Sequence, residues 1–234
     1  MARSARPVFY FSLRSPYSWM AHHDLVTTHP AVADRLEWRP FWEPDRASEA
    51  LLAAAGGRFV YTPMSREKHL YILQDVRRLS LARGLRVAWP LDRAPRWEVP
   101  HLAYLAADRL GAGRVFVAAA YRARWEEGRD ICDPATMLTI GDEIGVDGTL
   151  LAAAADDPGL AGRATEALLA IDRDSVFGVP FFVLGRERFW GIDRLPAFLD
   201  LVAGGSDPAP PPPVLVPSVP VGRSIEDGHA GGCG

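Results

Sequence analysis

The chain has 234 residues, of which 48% are hydrophobic and 24% charged, as in globular proteins of one large domain or two small ones. Its formal net charge of -3 lacks the basic excess of a nucleic-acid-binding protein, and its longest apolar stretch, at residues 115–121, is too short to cross a bilayer. We therefore expect a cytoplasmic protein that binds neither nucleic acid nor a membrane.

The first elements follow a strand–helix–strand order, which predicts a βαβ unit. Residues 8–11 read as an apolar strand, 16–28 as a helix, and 36–41 as a second strand, at a sheet edge because of Pro40. The His-His-Asp run at residues 22–24 lies inside this helix. Because neighbouring side chains on a helix point in different directions, surface or partner packing is preferred there over a metal site.

Ser15–Pro16 marks the start of that helix. Serine is a preferred N-cap, and proline is favoured at the first helical position. The Ser15 hydroxyl is therefore expected at the positive end of a helix, just beyond the carboxyl end of a strand, where anions are stabilised. A thiol–disulfide oxidoreductase would carry its first active cysteine at this position.

Cysteine and lysine are both rare in the chain. Cys132 and Cys233 are far apart and no Cys-x-x-Cys motif occurs, so neither a disulfide framework nor a dithiol redox centre is expected. Cys132 is interpreted as a buried small hydrophobic residue. Lys68 is the one lysine among 26 basic residues, which singles it out.

From about residue 47 to 172 the patterns are mainly helical. The clearest helix runs over residues 66–83, where leucine and valine recur every three or four positions until Gly84. The other predicted helices cover residues 99–110, 113–127, 134–144, 149–155 and 159–171.

Strand character returns near the end of the chain. Residues 181–184 and 188–190 predict a hairpin, and Asp193 is expected to cap a last helix that ends near Val202. The remainder is rich in proline and glycine, which predicts an extended or disordered tail.

These elements predict an α/β protein with a thioredoxin-like fold and an inserted all-helical domain. The thioredoxin-like domain is expected to consist of two segments, residues 7–45 and 173–203. Residues 46–172 would form the helical insertion, and residues 204–234 the tail.

Motifs at both ends of the chain, with one between them, resemble a known family. They are Phe9-Tyr10-Phe11-x-x-x-Ser15-Pro16-Tyr17-Ser18-Trp19, Lys68-x-x-Tyr71-Ile72-Leu73, Gly178-Val179-Pro180-x-Phe182 and Phe189-Trp190-Gly191-x-Asp193-Arg194-Leu195. Together they are similar to the 2-hydroxychromene-2-carboxylate isomerases and kappa-class glutathione transferases, over residues 8–202. Val-Pro before a late strand is where thioredoxin-like proteins keep a cis proline, which exposes the preceding backbone to a peptide-like ligand.

The resemblance implies glutathione as a cofactor and a homodimer as the assembly. It implies that Ser15 interacts with the glutathione sulfur and that Lys68 meets a carboxylate. The residues implied to contact the rest of the tripeptide are Val179 and Pro180, the backbone of Ile192, and Asp193. Mycothiol is an alternative thiol.

A serine hydroxyl does not ionise near neutral pH, but it can donate a hydrogen bond that favours a thiolate over a thiol. Such a thiolate suits an isomerase or transferase that acts on a small electrophilic, unsaturated or aromatic carboxylic substrate. Arg93 and Arg96 are interpreted as surface residues or as clamps for the substrate carboxylate, and Trp190 as core or pocket wall. Two alternatives are a DsbA-like redox protein without Cys-x-x-Cys and a non-catalytic binding protein that uses its proline-rich tail.

Overall fold

The computed structural model describes residues 6–60 and 64–204, and most of the predicted tail therefore lies outside the described residues. In this part of the chain, four strands form one mixed sheet in the order β2-β1-β3-β4. The strands are β1 (Val8–Phe11), β2 (Glu37–Pro40), β3 (Phe181–Leu184) and β4 (Glu187–Trp190). The predicted edge position of the strand with Pro40 is confirmed.

Most of the α-helices follow one another along the chain between β2 and β3, and the others pack around the sheet. They are α1 (Pro16–Thr28), α2 (Pro30–Ala33), α3 (Arg46–Ala54), α4 (Arg66–Ala82), α5 (Glu98–Arg109), α6 (Gly113–Tyr121), α7 (Pro134–Ile144), α8 (Gly148–Ala153), α9 (Ala161–Arg173) and α10 (Leu195–Val202). The predicted thioredoxin-like fold with a helical insertion is confirmed, whereas the division into domains stays a prediction.

The centre of the sheet is aromatic and fully covered. All four residues of β1 are buried, because this strand has a neighbour on each side and helices over it. The rings of Phe9 and Phe182 stack with centroids 5.0 Å apart, and Trp38 meets Phe9 edge-on, also at 5.0 Å. This contact holds three strands in register.

Strand direction decides which loops meet. β1 pairs antiparallel with β3, and Tyr10 lies opposite Phe181. The carboxyl end of β1 and the amino end of β3 therefore share one edge of the sheet. Val179–Pro180, just before β3, consequently lies at the same edge as the loop that leads to Ser15.

Two helix ends differ from the predictions. The predicted helix 113–127 changes at Arg122 from an α-helix to a π-helix that runs to Glu126. The predicted cap at Asp193 is wrong: residues 192–194 form a 3-10 turn, and α10 follows with Arg194 as its N-cap. Proline is favoured in the first helical turn, and Pro196 accordingly fits this later start.

None of the helices in the described ranges is long and apolar enough to span a bilayer. The His-His-Asp run of α1 separates into different contacts, and no cluster suited to a metal occurs among the described residues. Asp24 forms an ion pair with Arg83, while His22 is buried against the Trp38 and Tyr121 rings, at centroid distances of 5.6 and 5.2 Å. His22 therefore belongs to the core and not to the surface.

The buried His22 is expected to destabilise the fold at mildly acidic pH. Burial, and next the charge of Arg114, lower its pKa to about 4. The unfolded chain protonates this histidine below about pH 6.5, whereas the folded chain does so only near pH 4. Proton uptake therefore favours unfolding as the pH falls between these two values, and the free energy of unfolding should be about 2 kcal/mol lower at about pH 5. The buried His101 of α5, with a pKa of about 3, adds a similar loss in the same range. Urea unfolding at about pH 7 and about pH 5 should therefore show about half of the wild-type pH dependence in His22→Phe.

The control for that measurement is His69→Gln, which changes an exposed histidine of α4. It should leave the pH dependence of the wild-type protein intact. Equal pH dependence in the wild-type protein and His22→Phe would contradict the assignment.

Candidate active site

The loop between β1 and α1 is fixed by hydrogen bonds from two helices. The Ser12 carbonyl oxygen accepts from the Ser15 N–H and from the Tyr121 hydroxyl, each at 3.1 Å. The Ser12 N–H donates to Ser18 Oγ at 3.3 Å. The loop that ends at Ser15 is thereby attached both to α1 and to α6.

Ser15 is the N-cap of α1, as predicted. Its Oγ accepts from the Ser18 N–H at 3.2 Å, and Pro16 follows in the first helical position. Its side chain has no exposed surface, and no acceptor within the described residues takes its hydroxyl proton. The hydroxyl therefore retains a donor that no described protein group uses, although none of its surface reaches the neighbouring cavity.

A cavity of ≈ 540 Å³ opens beside the first turn of α1, within the size range of small-molecule sites. The Val179–Pro180 peptide bond is cis, and both residues line this cavity. Trp190, Ile192 and Asp193 line it too. The structure thus brings five of the predicted site residues to one wall.

The chemistry of this wall suits a polar ligand with charged ends. The Trp190 indole N–H is buried and has no acceptor among the described residues. The Asp193 carboxylate is 69% exposed and lies 3.5 Å from Arg194 Nη1. The wall therefore presents one accessible carboxylate beside an apolar surface, and the unpartnered Trp190 N–H lies beneath that surface.

The opposite wall of the cavity comes from α4. The Tyr17 hydroxyl, in the first turn of α1, donates to Asp75 of α4 at 2.9 Å. Further along, the Arg83 guanidinium binds both carboxylate oxygens of Asp24 at 2.8–3.0 Å. These two polar contacts hold α4 against α1 and so fix the width of the cavity.

Four predicted site residues do not line this cavity. Ser15 lies behind it at the helix end, and Lys68 lies on the first turn of α4, where its N–H donates to Ser65 Oγ. Arg93 is exposed. Arg96 forms ion pairs with Asp156 and Asp45, at 2.8 and 3.5 Å, on a different part of the surface.

Tyr17 and the α4 wall are parts of the site that were not among the predicted site residues. Tyr17 stands directly after the Ser-Pro pair, and this proximity was an available signal. Tyr71 and Asp75 follow Lys68 at positions i+3 and i+7, so all three residues share one face of α4. That spacing could have been used to predict that Lys68, Tyr71 and Asp75 form one polar face of the helix.

A buried arginine lies behind the loop. Arg124 in the π-helix is 3% exposed, and its two terminal nitrogens each donate to Asp92 at 2.8 Å. Its guanidinium lies 5.1 Å from the Trp97 ring centroid and 4.9 Å from that of Trp125. The Trp97 ring also contacts Arg14, next to Ser15 in the loop: the Arg14 guanidinium lies 5.3 Å from the ring centroid.

Cys132 is an unsuitable nucleophile. Burial, and next the charge of Asp130, raise the pKa of its thiol to about 12. The thiolate is the reactive form of cysteine, so Cys132 stays inert near neutral pH. Cys233 lies outside the described residues.

Comparison with known proteins supplies a family and relatives. The family described as the DSBA-like thioredoxin domain matches residues 8–203. A relative from Sphingobium xenophagum, named 2-hydroxychromene-2-carboxylate isomerase, is 28% identical over 191 residues, which cover 80% of this chain and 92% of the relative.

Two solved structures share the fold. A 2-hydroxychromene-2-carboxylate isomerase aligns with a TM-score of 0.66 and 21% identity, over 85% of this chain and 94% of its own. The cytosolic disulfide reductase DsbM from Pseudomonas aeruginosa aligns with a TM-score of 0.55 and 20% identity, over 85% of this chain and 98% of its own. A second DsbM structure, with GSH, has a TM-score of 0.53.

Proposed function

Because the chain belongs to the DSBA-like thioredoxin domain family, we propose that it is a glutathione-dependent isomerase or transferase. Its substrate is a small electrophilic, unsaturated or aromatic carboxylic acid, and it acts in the cytoplasm as a homodimer. One observation carries the proposal: Val179–Pro180 and Ile192–Asp193 share a cavity wall beside the helix end that Ser15 caps. The name of the relative from Sphingobium xenophagum supports the isomerase activity, and the DsbM structure with GSH supports the thiol.

The residues present fit this thiol. The Asp193 carboxylate is exposed and can take the ammonium group of the γ-glutamyl end. Val179, before the cis proline, lines the same cavity, and in this proposal its backbone pairs with a peptide bond of the ligand. Lys68 lies seven positions before the cavity-lining Asp75 on the same face of α4, and in this proposal it meets a glutathione carboxylate. These residues would hold the tripeptide so that its sulfur points toward Ser15.

When bound, the thiol supplies a sulfur nucleophile that adds to an electron-poor carbon and leaves again after bond rotation, or stays bonded while a leaving group departs. Ser15 donates its hydroxyl proton to that sulfur as a hydrogen bond and does not itself bond to the substrate. The amino end of α1 adds its positive electrostatic potential. Both effects favour the thiolate, and a modest lowering of a thiol pKa from about 8.5 makes most of the sulfur ionised near neutral pH.

The direct test measures the thiolate in the complex. Ultraviolet absorbance of thiolate, titrated with pH in the presence of glutathione and the protein, should give a pKa below the free value of about 8.5. Isomerisation of 2-hydroxychromene-2-carboxylate should then require glutathione. Insulin reduction without isomerisation would instead support the redox alternative, and absence of glutathione binding would reject the proposal.

Asp193→Asn is expected to weaken glutathione binding about tenfold, because the substitution removes the carboxylate that faces the ammonium group. Mycothiol lacks that ammonium group, so its affinity should not change. Calorimetric titration of both thiols against both proteins makes the comparison. The matched control is Asp200→Asn, which removes the same charge from an exposed position of α10.

Unchanged glutathione affinity in Asp193→Asn would show that the γ-glutamyl end binds elsewhere. Binding of mycothiol but not of glutathione by the wild-type protein would identify mycothiol as the cofactor. Light scattering on the same samples tests the proposed homodimer.

A further inference from the structure

A buried histidine contacts the loop that carries Ser15. His101 of α5 has no exposed surface. Its Nε2 lies 3.1 Å from the Leu13 N–H, and its Nδ1 lies 2.7 Å from the Trp97 carbonyl oxygen. Because an N–H only donates and a carbonyl oxygen only accepts, Nε2 is the acceptor and Nδ1 carries the proton.

The Leu13 N–H and the Ser12 carbonyl belong to one peptide unit. His101 accepts from the N–H of this unit, and the Tyr121 hydroxyl donates to its carbonyl oxygen at 3.1 Å. A peptide unit is planar, so these two bonds together fix the orientation of the plane. The same carbonyl oxygen accepts from the Ser15 N–H at 3.1 Å.

We propose that His101 is a positioning residue, which holds Ser15 at the end of α1 through the peptide unit between Ser12 and Leu13. The inference depends on the proposed function only for its catalytic consequence. The chain of contacts runs from the imidazole to Leu13 N, through the peptide plane to Ser12 O, and from there to Ser15 N.

An apolar side chain of similar size does not replace this contact. Leu13 is itself fully buried, so its N–H would lose its acceptor and could not turn to water without moving the loop. The imidazole is also held in place, since Trp42 stacks on it at 5.7 Å with an interplanar angle of 18°. Burial, and against it the Trp97 carbonyl, set the pKa of His101 at about 3, which keeps Nε2 free to accept.

The test compares His101→Leu, which removes the acceptor, with His101→Gln, whose amide oxygen can restore it. The matched control is Tyr104→Phe on the same helix, because Tyr104 also makes a buried side-chain bond to the backbone, from its hydroxyl to Trp38 O at 2.9 Å. That control removes a comparable bond that does not involve the loop.

The first readout needs no thiol. In His101→Leu, amide hydrogen exchange at Ser15 should accelerate at least tenfold beyond any global change, while Tyr104→Phe and His101→Gln should stay near the wild type. An unchanged Ser15 exchange rate in a folded His101→Leu variant overturns the inference. If that variant does not fold, His101→Gln is compared with His101→Asn, whose shorter amide reaches the position of Nδ1 but not that of Nε2: faster Ser15 exchange in His101→Asn than in His101→Gln supports the inference, and equal exchange in both overturns it.

The second readout tests the catalytic consequence. We expect His101→Leu to raise the pKa of bound glutathione by about one unit and to lower kcat about tenfold, with little change in KM for the electrophile. Loss of kcat without the shift in the thiol pKa overturns the positioning role. A wild-type protein that does not bind glutathione rejects the proposed function, and the Ser15 exchange rate then still decides the inference on His101.

Discussion

Ser15→Ala is expected to reduce thiol-dependent turnover about 10- to 100-fold while the protein stays folded. The hydroxyl proton has no acceptor in the described structure, and a hydrogen bond to a charged sulfur contributes about 1.5–3 kcal/mol. Without it, the bound thiol should ionise at higher pH. Rate measurements across pH, at a saturating glutathione concentration, should show that the pH–rate curve of the variant is shifted toward higher pH.

Ser15 also caps α1, and the two roles can be separated. Loss of an N-cap to alanine costs about 1 kcal/mol of stability, whereas glycine in the same place costs only a few tenths. Ser15→Gly should therefore lose turnover with little loss of stability. Ser65→Ala removes a cap of the same geometry, from the start of α4, and should lose stability with little effect on turnover. Wild-type turnover in a folded Ser15→Gly variant would contradict the proposed role.

Asp92→Ala is expected to lower the free energy of unfolding by about 3 kcal/mol. Its carboxylate is the ion-pair partner of the buried Arg124, and its loss leaves that charge without compensation. The value lies at the lower end of the range for buried pairs because Asp92 is 30% exposed. Chemical unfolding at neutral pH, followed by tryptophan fluorescence, measures the change.

Two controls show whether the effect comes from the stranded charge. Asp108→Ala breaks an ion pair with Arg163 in which both side chains are over 40% exposed, and it should cost less than about 1 kcal/mol. In Asp92→Ala combined with Arg124→Met, no charge is left to bury, so much of the lost stability should return. Failure of the double variant to recover would mean that Arg124 stabilises through its contacts with Trp97 and Trp125 instead.

Local features of this fold could be predicted from the sequence. The Ser15 cap, the helix from Pro16 and the edge strand with Pro40 each depend on a few neighbouring residues whose backbone preferences are strong. The motifs at both ends of the chain added a resemblance to a known family. The fold class was predictable because these short-range signals agree with one another.

Features that depend on distant partners could not be predicted in the same way. The pairs Tyr17–Asp75 and Arg83–Asp24 join α1 to α4, and no local pattern marks either pair. The π-helix at residues 122–126 lies inside an ordinary helical pattern, and its distinguishing feature is the buried Arg124. Asp193 resembled a cap because aspartate is favoured at that position, and the sequence does not show that residues 192–194 form a separate 3-10 turn before α10.

The pairing of β1 with β3 has a consequence for the order of synthesis and folding. Tyr10 lies opposite Phe181, so the central pair of strands joins the beginning of the described chain to its end. A growing polypeptide can form α1 and the helices that follow it long before β3 has left the ribosome, but it cannot close the sheet. The Ser15 helix end must therefore wait, without the cavity wall that contains Val179–Pro180 and Ile192–Asp193, until residues 179–194 are made. Closing so large a loop is slow, which makes this late step the expected target of chaperones.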